Sequence, residues 1–198
     1  VRLKYDLNDD NGYDGLDRFG RIVEHRWRDY GASANRVRLT HGYDRASNRL
    51  YREDLMADSV GSGGFDELYS YDGLHRLDDT RRGDLNANKD GLSRTTNSDV
   101  WTLDALGNWA NFARTDGTFY PSVTHDREHN LANEIADTSG NSDAIETTNG
   151  SDWTDPDHDA AGNMIALPAP GNETNSLTAT YDAWNRLVKL EDGTDDVA

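Results

Sequence analysis

Polar and apolar side chains alternate along much of this chain. Arg26-Trp27-Arg28 and Arg36-Val37-Arg38-Leu39 put Arg on one face and apolar groups on the other, the period-two signature of a half-buried strand. Residues 1–5 and 186–190 also read as strands. No twelve-residue window carries a 3.6-residue apolar stripe, and Gly107 interrupts the best helical candidate, residues 100–114. The pattern predicts an all-β chain of short antiparallel hairpins, with little helix, forming an open or spiral sheet.

A repeated heptapeptide punctuates the strands. Seven segments align: YDGLDRF from Tyr13, YDRASNR from Tyr43, YDGLHRL from Tyr71, LDALGNW from Leu103, HDREHNL from His125, HDAAGNM from His158 and YDAWNRL from Tyr181. Counting the first residue as zero, position one is Asp in every copy: Asp14, Asp44, Asp72, Asp104, Asp126, Asp159 and Asp182. Position five is always Asn or Arg. Position four is Asp17, Ser47, His75, Gly107, His129, Gly162 and Asn185, mostly types that tolerate positive φ. These positions imply a mechanism. The first residue ends a strand, the Asp carboxylate folds back onto backbone N–H groups, and position four supplies a left-handed residue before the return strand. Starts are 30, 28, 32, 22, 33 and 23 residues apart, a repeat-protein spacing. The long gaps predict loop insertions at residues 57–64, 82–98 and 138–155. The whole of residues 1–198 reads as one repeat array, a piece of a longer repeat protein.

Composition sharpens this picture. Only 34% of residues are hydrophobic while the net charge is −17, a balance that favours disorder. Five Trp, nine Tyr and four Phe oppose it, and the abundance of Asp, Asn and Gly fits a turn-dense β chain. Cysteine is absent, which removes disulfides and thiolate metal sites. No apolar run reaches the length of a membrane span, and no secretory leader is visible. Residues 1–99 carry 16 Lys/Arg against 19 Asp/Glu, and residues 100–198 carry 4 against 18. Such acidity repels nucleic acid and anionic lipid.

The corners resemble the YD repeats of the Rhs family, most closely at Tyr13-Asp14-Gly15-Leu16-Asp17-Arg18-Phe19, Tyr43-Asp44-Arg45-Ala46-Ser47-Asn48-Arg49 and Tyr181-Asp182-Ala183-Trp184-Asn185-Arg186-Leu187. That resemblance implies a β-sheet spiral of the kind that closes as a hollow shell in Rhs toxins, bacterial toxin complexes and teneurins. It also implies an extracellular or cell-surface setting. The shell commonly encloses a toxin domain released by an aspartyl self-cleavage motif. Neither the Pro/Asn/Tyr-rich cleavage segment nor a further domain is visible after Leu190, so the protease and toxin roles are not expected of these residues.

Candidate chemistry is sparse. Four of the six His (His75, His125, His129, His158) occupy repeat positions and read as repeat fillers; His25 and His41 lie in strands without metal spacing. The repeat carboxylates have a sufficient role in the turns, and no nucleophile elbow or phosphate loop appears, so no catalysis is expected. Asp6, Asn8 and Asp10 space their oxygens like a Ca²⁺ loop, with Asp17 at position twelve. Asp84, Asn86 and Asn88 repeat the spacing. Neither loop has both Gly at six and Glu at twelve, so plain turns are favoured and no cofactor is expected. The Arg-rich residues 21–52 read as a strand face paired against acidic neighbours. The expected function is a structural shell segment or extracellular fibre, which self-associates through sheet edges or joins the rest of a longer Rhs chain. The alternative is a surface module binding glycan or protein, betrayed by one clustered aromatic patch beside a concave site.

Overall fold

The structure is a computed structural model that describes residues 1–5, 14–59, 64–116, 122–138, 140, 143–149 and 151–193. The chain forms two compact units: residues 1–100 with 115–120, and residues 101–114 with 121–198.

The first unit holds β1 (Arg2–Lys4), β2 (Glu24–Asp29), β3 (Ala34–Tyr43), β4 (Arg49–Asp54), the short α1 (Leu55–Ser59), β5 (Asp66–Tyr71), β6 (Leu77–Leu85) and most of β7 (Leu92–Leu103). Each strand pairs antiparallel with the next. The alternation sets the register: Trp27 lies opposite both Leu3 and Val37. Arg52 lies opposite both His41 and Glu67. Residues 82–98 are therefore not an inserted loop but two long strands and their turn. Gly83 makes their bulge possible, because a Cβ there would lie 1.8 Å from the Arg94 carbonyl oxygen.

The second unit begins with the end of β7 and continues through β8 (Trp109–Asp116), β9 (Val123–Arg127) and β10 (Ile145–Thr147), with β9 pairing both β8 and β10. The helical candidate at residues 100–114 is thus strand, corner and strand, because Gly107 turns the chain. A separate four-stranded antiparallel sheet follows, in the order β11 (Asp157–His158), β12 (Met164–Ala169), β13 (Asn172–Tyr181) and β14 (Leu187–Glu191).

The two units solve burial differently. Among the described residues, the fully buried apolar side chains are Phe112, Ala144, Ile145, Leu177 and Ala179, all in the second unit. In the first unit the buried groups are polar: Glu24, Arg26, His41 and Asp66. Cross-strand pairs knit its sheet, with Arg38 forked onto Glu24 at 2.8 and 3.2 Å and Arg52 onto Glu67 at 2.9 and 2.7 Å. Arg36 reaches across from β3 to Asp29 on β2 at 2.9 Å, and Arg21 holds Asp17 within its own corner at 2.6 Å. Within the Arg-rich stretch Arg36, Arg38 and Arg52 are thus strand residues matched by acidic neighbours across the sheet, as opposite charges prefer.

Candidate functional site

The corners are the recurring structural site. In residues 71–77 the Asp72 N–H donates to the Arg76 carbonyl at 2.9 Å and the His75 N–H to the Asp72 carbonyl at 3.0 Å. Asp72 Oδ1 accepts the N–H groups of Leu74 and Arg76 at 2.8 and 2.9 Å, and Oδ2 accepts Arg76 Nε at 2.6 Å. One carboxylate thus satisfies the inward N–H groups of the turn. His75 adopts φ 62°, the left-handed residue that lets the chain return. Asp44, Asp104, Asp159 and Asp182 close their corners likewise, onto Asn48, Asn108, Asn163 and Arg186. Gly107 and Gly162 take the left-handed position at φ 95° and 82°.

Two corners lie in a different frame from the one the sequence suggested. The first is built on Asp17, not Asp14: Asp17 Oδ1 accepts the Phe19 and Arg21 N–H groups, and Gly20 has φ 76°. Tyr13 lies outside the described residues. The fifth is built on Asn130, not Asp126. Asn130 Oδ1 accepts the Ala132 and Glu134 N–H groups, and its amide donates to Glu134 at 2.7 Å. This copy exchanges donor and acceptor, an inversion that a search for Asp cannot see. Asp126 instead lies in β9 and accepts from Asn111 at 2.7 Å, while His125 is buried in the same strand. A further corner joins β6 to β7 on Asn86, with Lys89 at φ 59°. It uses the second candidate calcium run as a turn: Asn86 and Asp90 bond each other, and Asp84 is forked by Arg94. Asp6, Asn8 and Asp10 lie outside the described residues.

Successive corners are wired together. The side chain at position five of one donates to position four of the next: Arg21 to Ser47 at 3.2 Å, Asn108 to Asn133 at 2.9 Å and Asn163 to Asn185 at 3.0 Å. Asn48 Nδ2 meets His75 Nδ1 at 2.9 Å in the same arrangement. A second rung runs beside it where the copy opens with Tyr. The hydroxyls of Tyr43, Tyr71 and Tyr181 donate to the carbonyls of Ile22, Arg49 and Met164, each the last residue of the preceding corner, at 2.9, 2.9 and 3.1 Å. Tyr rather than Phe opens these units because its hydroxyl ties one hairpin to the one before. Tyr71→Phe should cost about 0.5–1.5 kcal/mol, the net worth of one such bond, in urea unfolding of the chain; no change in midpoint would remove the rung.

The corner carboxylates are acidified by their loops. The Arg76 N–H, then its guanidinium, holds Asp72 below the usual range; the Asn108 amide does so for Asp104, the Asn163 amide for Asp159 and the Arg186 guanidinium for Asp182. At Asp17 and Asp44 desolvation pushes upward, and the loop hydrogen bonds outweigh it. Because the folded values are depressed, this stability is present above the unfolded carboxylate pKa and is lost as pH falls through the folded ones. Acid unfolding below about pH 4 should therefore take up protons at the corners. Asp72→Ala should lower the melting temperature at pH 7 by about 2–4 °C, as loss of one cap does in a chain of this size. A variant with unchanged melting at pH 7 would contradict the capping role.

The described residues also shape an open groove of about 680 Å³ in the first unit, lined by Phe65, Glu67, Tyr69, Thr80, Arg82 and Asp99 among others. Arg52 and the Tyr69 hydroxyl occupy the Glu67 carboxylate, and Arg82 stacks on Phe65 at 4.8 Å. Burial, then Glu67, pushes the Tyr69 phenol up to about 12. Of the large aromatic and aliphatic groups exposed on the described surface only Phe65 lines this groove, while Phe19, Leu74, Leu106 and Trp184 each occupy position three of a corner. Among the described residues no cluster of three His, Asp or Glu side chains is arranged to hold a metal, and no helix is long and apolar enough to cross a membrane.

No protein-family model matches the chain, and no curated protein does. Solved structures do. A chain of the TcdB2-TccC3-Cdc42 crystal structure matches with a TM-score of 0.56 and 14% identity, over 89% of this chain and 9% of that one. A chain of the Photorhabdus luminescens Tc holotoxin pore, carrying a TccC3 mutation, matches with a TM-score of 0.58 and 14% identity, over 90% and 9%. The chain spans less than a tenth of the length of the solved chains it matches, and what it shares with them is the fold.

Proposed function

We propose, from the fold shared with these Rhs-type shell chains of Tc toxins, that this chain is a non-catalytic structural segment of an Rhs-repeat wall. The corner ladder carries the reading. Side-chain rungs between corners, present at four consecutive pairs, stiffen a sheet in the direction in which its strands succeed one another, which a wall requires. The scarcity of buried apolar groups in the first unit fits a sheet of which both faces are polar. The exposed aromatics are spread along the chain, Phe19 and Trp184 at corners and Trp27, Tyr30 and Trp109 elsewhere, with only Phe65 at the groove, which favours a scaffold over a glycan- or protein-binding module. The likeness to Tc toxin chains supports a setting outside the cell or at its surface.

A wall segment associates through its edges. Among the described strands β1 pairs only β2, and β14 pairs only β13, with Leu187 and Val188 exposed on β14; such edges are templates for another strand. The partner is the next repeat of a longer chain or a second copy. Sedimentation and electron microscopy of the isolated chain at moderate salt should show concentration-dependent association that Val188→Lys reduces. A compact monomer at every concentration would overturn association through these edges.

A further inference from the structure

His25 and His41 stand on neighbouring strands with their rings stacked, centroids 5.4 Å apart and planes at 18°. His41 is only 6% exposed, and neither Nδ1 has a hydrogen-bond partner. The charged groups facing the pair are Glu24 on β2, Arg49 and Arg52 on β4, and Glu67 on β5. The Tyr5 ring tilts against His25 at 6.4 Å, and the described side chains of α1, Leu55, Met56 and Ala57, bring no charge. Both carboxylates are engaged elsewhere, Glu24 by Arg38 and Glu67 by Arg52 and Tyr69. A proton on His41 would therefore meet two guanidinium groups and a second imidazole, and one on His25 would meet Arg49, with both neighbouring carboxylates already engaged.

The second unit repeats the device with different parts. His125 on β9 is 5% exposed and neither ring nitrogen has a partner. Its ring meets the edge of Trp153 at 4.4 Å and tilts against Phe112 at 6.1 Å. Arg127 on its own strand opposes a positive ring, and only Glu173 on β13 favours one; Phe112 on β8 and Thr147 on β10 lie opposite it in register.

We propose that the buried imidazoles of His41 and His125, with half-buried His25 stacked on His41, form an acid-sensitive latch: each unit's sheet is held closed while its histidines are neutral and loosens when mild acid charges them. The sign follows from burial. Desolvation, then Arg49, lowers His41 to about 4, and desolvation lowers His25 and His125. The unfolded chain takes up the proton from pH 6.5 downward while the folded chain resists. Stability from the histidines is thus full above about pH 6.5 and drains as pH falls toward the folded values. This window lies above that of the corner carboxylates, so the two effects separate.

The test is the unfolding equilibrium of the intact chain between pH 7 and 4.5, together with the imidazole ring-carbon NMR shifts of the folded protein. His41 alone should raise the unfolding constant about a hundredfold across that range. His41→Phe, which keeps a flat ring on His25, should remove most of that rise, and His125→Gln should act separately on the second unit. A His41→Phe chain that loses as much stability as the wild type would overturn the latch. If that variant does not fold, the wild-type NMR titration decides: a folded-state His41 ring that stays neutral through pH 5 supports the latch, and one that titrates near 6.5 overturns it.

Discussion

Phe112→Ala is expected to cost the second unit about 3–5 kcal/mol, the range for deleting a buried aromatic ring. Phe112 is buried on β8, with Trp101 and Trp109 at 5.7 and 5.8 Å and His125 at 6.1 Å. Arg114 lies over its face at 5.5 Å. The hole left behind cannot easily collapse, because the β8–β9 register fixes Phe112 opposite His125 and the surrounding rings are themselves rigid. In a unit with so few buried apolar residues, no neighbour compensates. Denaturant unfolding followed by tryptophan fluorescence reads the loss, since Trp101, Trp109 and Trp153 belong to the same cluster. Phe112→Leu keeps most of the volume and should cost under about 1.5 kcal/mol. A loss under 1 kcal/mol for the alanine variant would mean that the aromatic cluster is not the core of this unit.

Asp66→Ala should be the most damaging single change in the first unit, and for the opposite chemical reason. Asp66 is 3% exposed, accepts the Asp54 N–H at 2.8 Å through Oδ1 and accepts the Leu85 N–H at 2.9 Å through Oδ2. One side chain at the start of β5 therefore ties down the end of β4 and the end of β6. Alanine strands two part-buried donors, at about 1–3 kcal/mol each, so a loss of about 2–6 kcal/mol is expected. Asn can accept only one of the two bonds and should fall between. Amide hydrogen exchange at Asp54 and Leu85 is the specific readout. Unchanged protection of both amides in Asp66→Ala would show that Asp66 is not the staple.

Much of this architecture was legible in the residue pattern. The period-two alternation at residues 26–28 and 36–39 named strands, and the Asp at position one with a positive-φ residue three places later named corners, because one short carboxylate and one left-handed residue suffice to close such a turn. Where copies departed from Asp the reading slipped. Asn86 and Asn130 build corners with an amide at position one and the carboxylate at position five, and in residues 13–21 two overlapping frames both placed Arg at position five. The insertion read at residues 82–98 was polar strand, whose side chains find their partners on neighbouring strands and so carry no apolar signature.

By itself the sequence determined the local chemistry: short antiparallel strands, tight Asp-closed turns, little helix and a strand-bound array of Arg, all set by interactions within about seven residues. Only the tertiary structure decided which strand lies beside which. That arrangement turned separate corners into a ladder, placing Asn108 against Asn133 and the Tyr71 hydroxyl on Arg49. It also made Asp66 a staple between strands and removed His41 and His125 from water. Those properties depend on partners 12 to 27 residues away in sequence or on burial by several strands at once, and the repeat pattern of one corner contains no information about what packs against it.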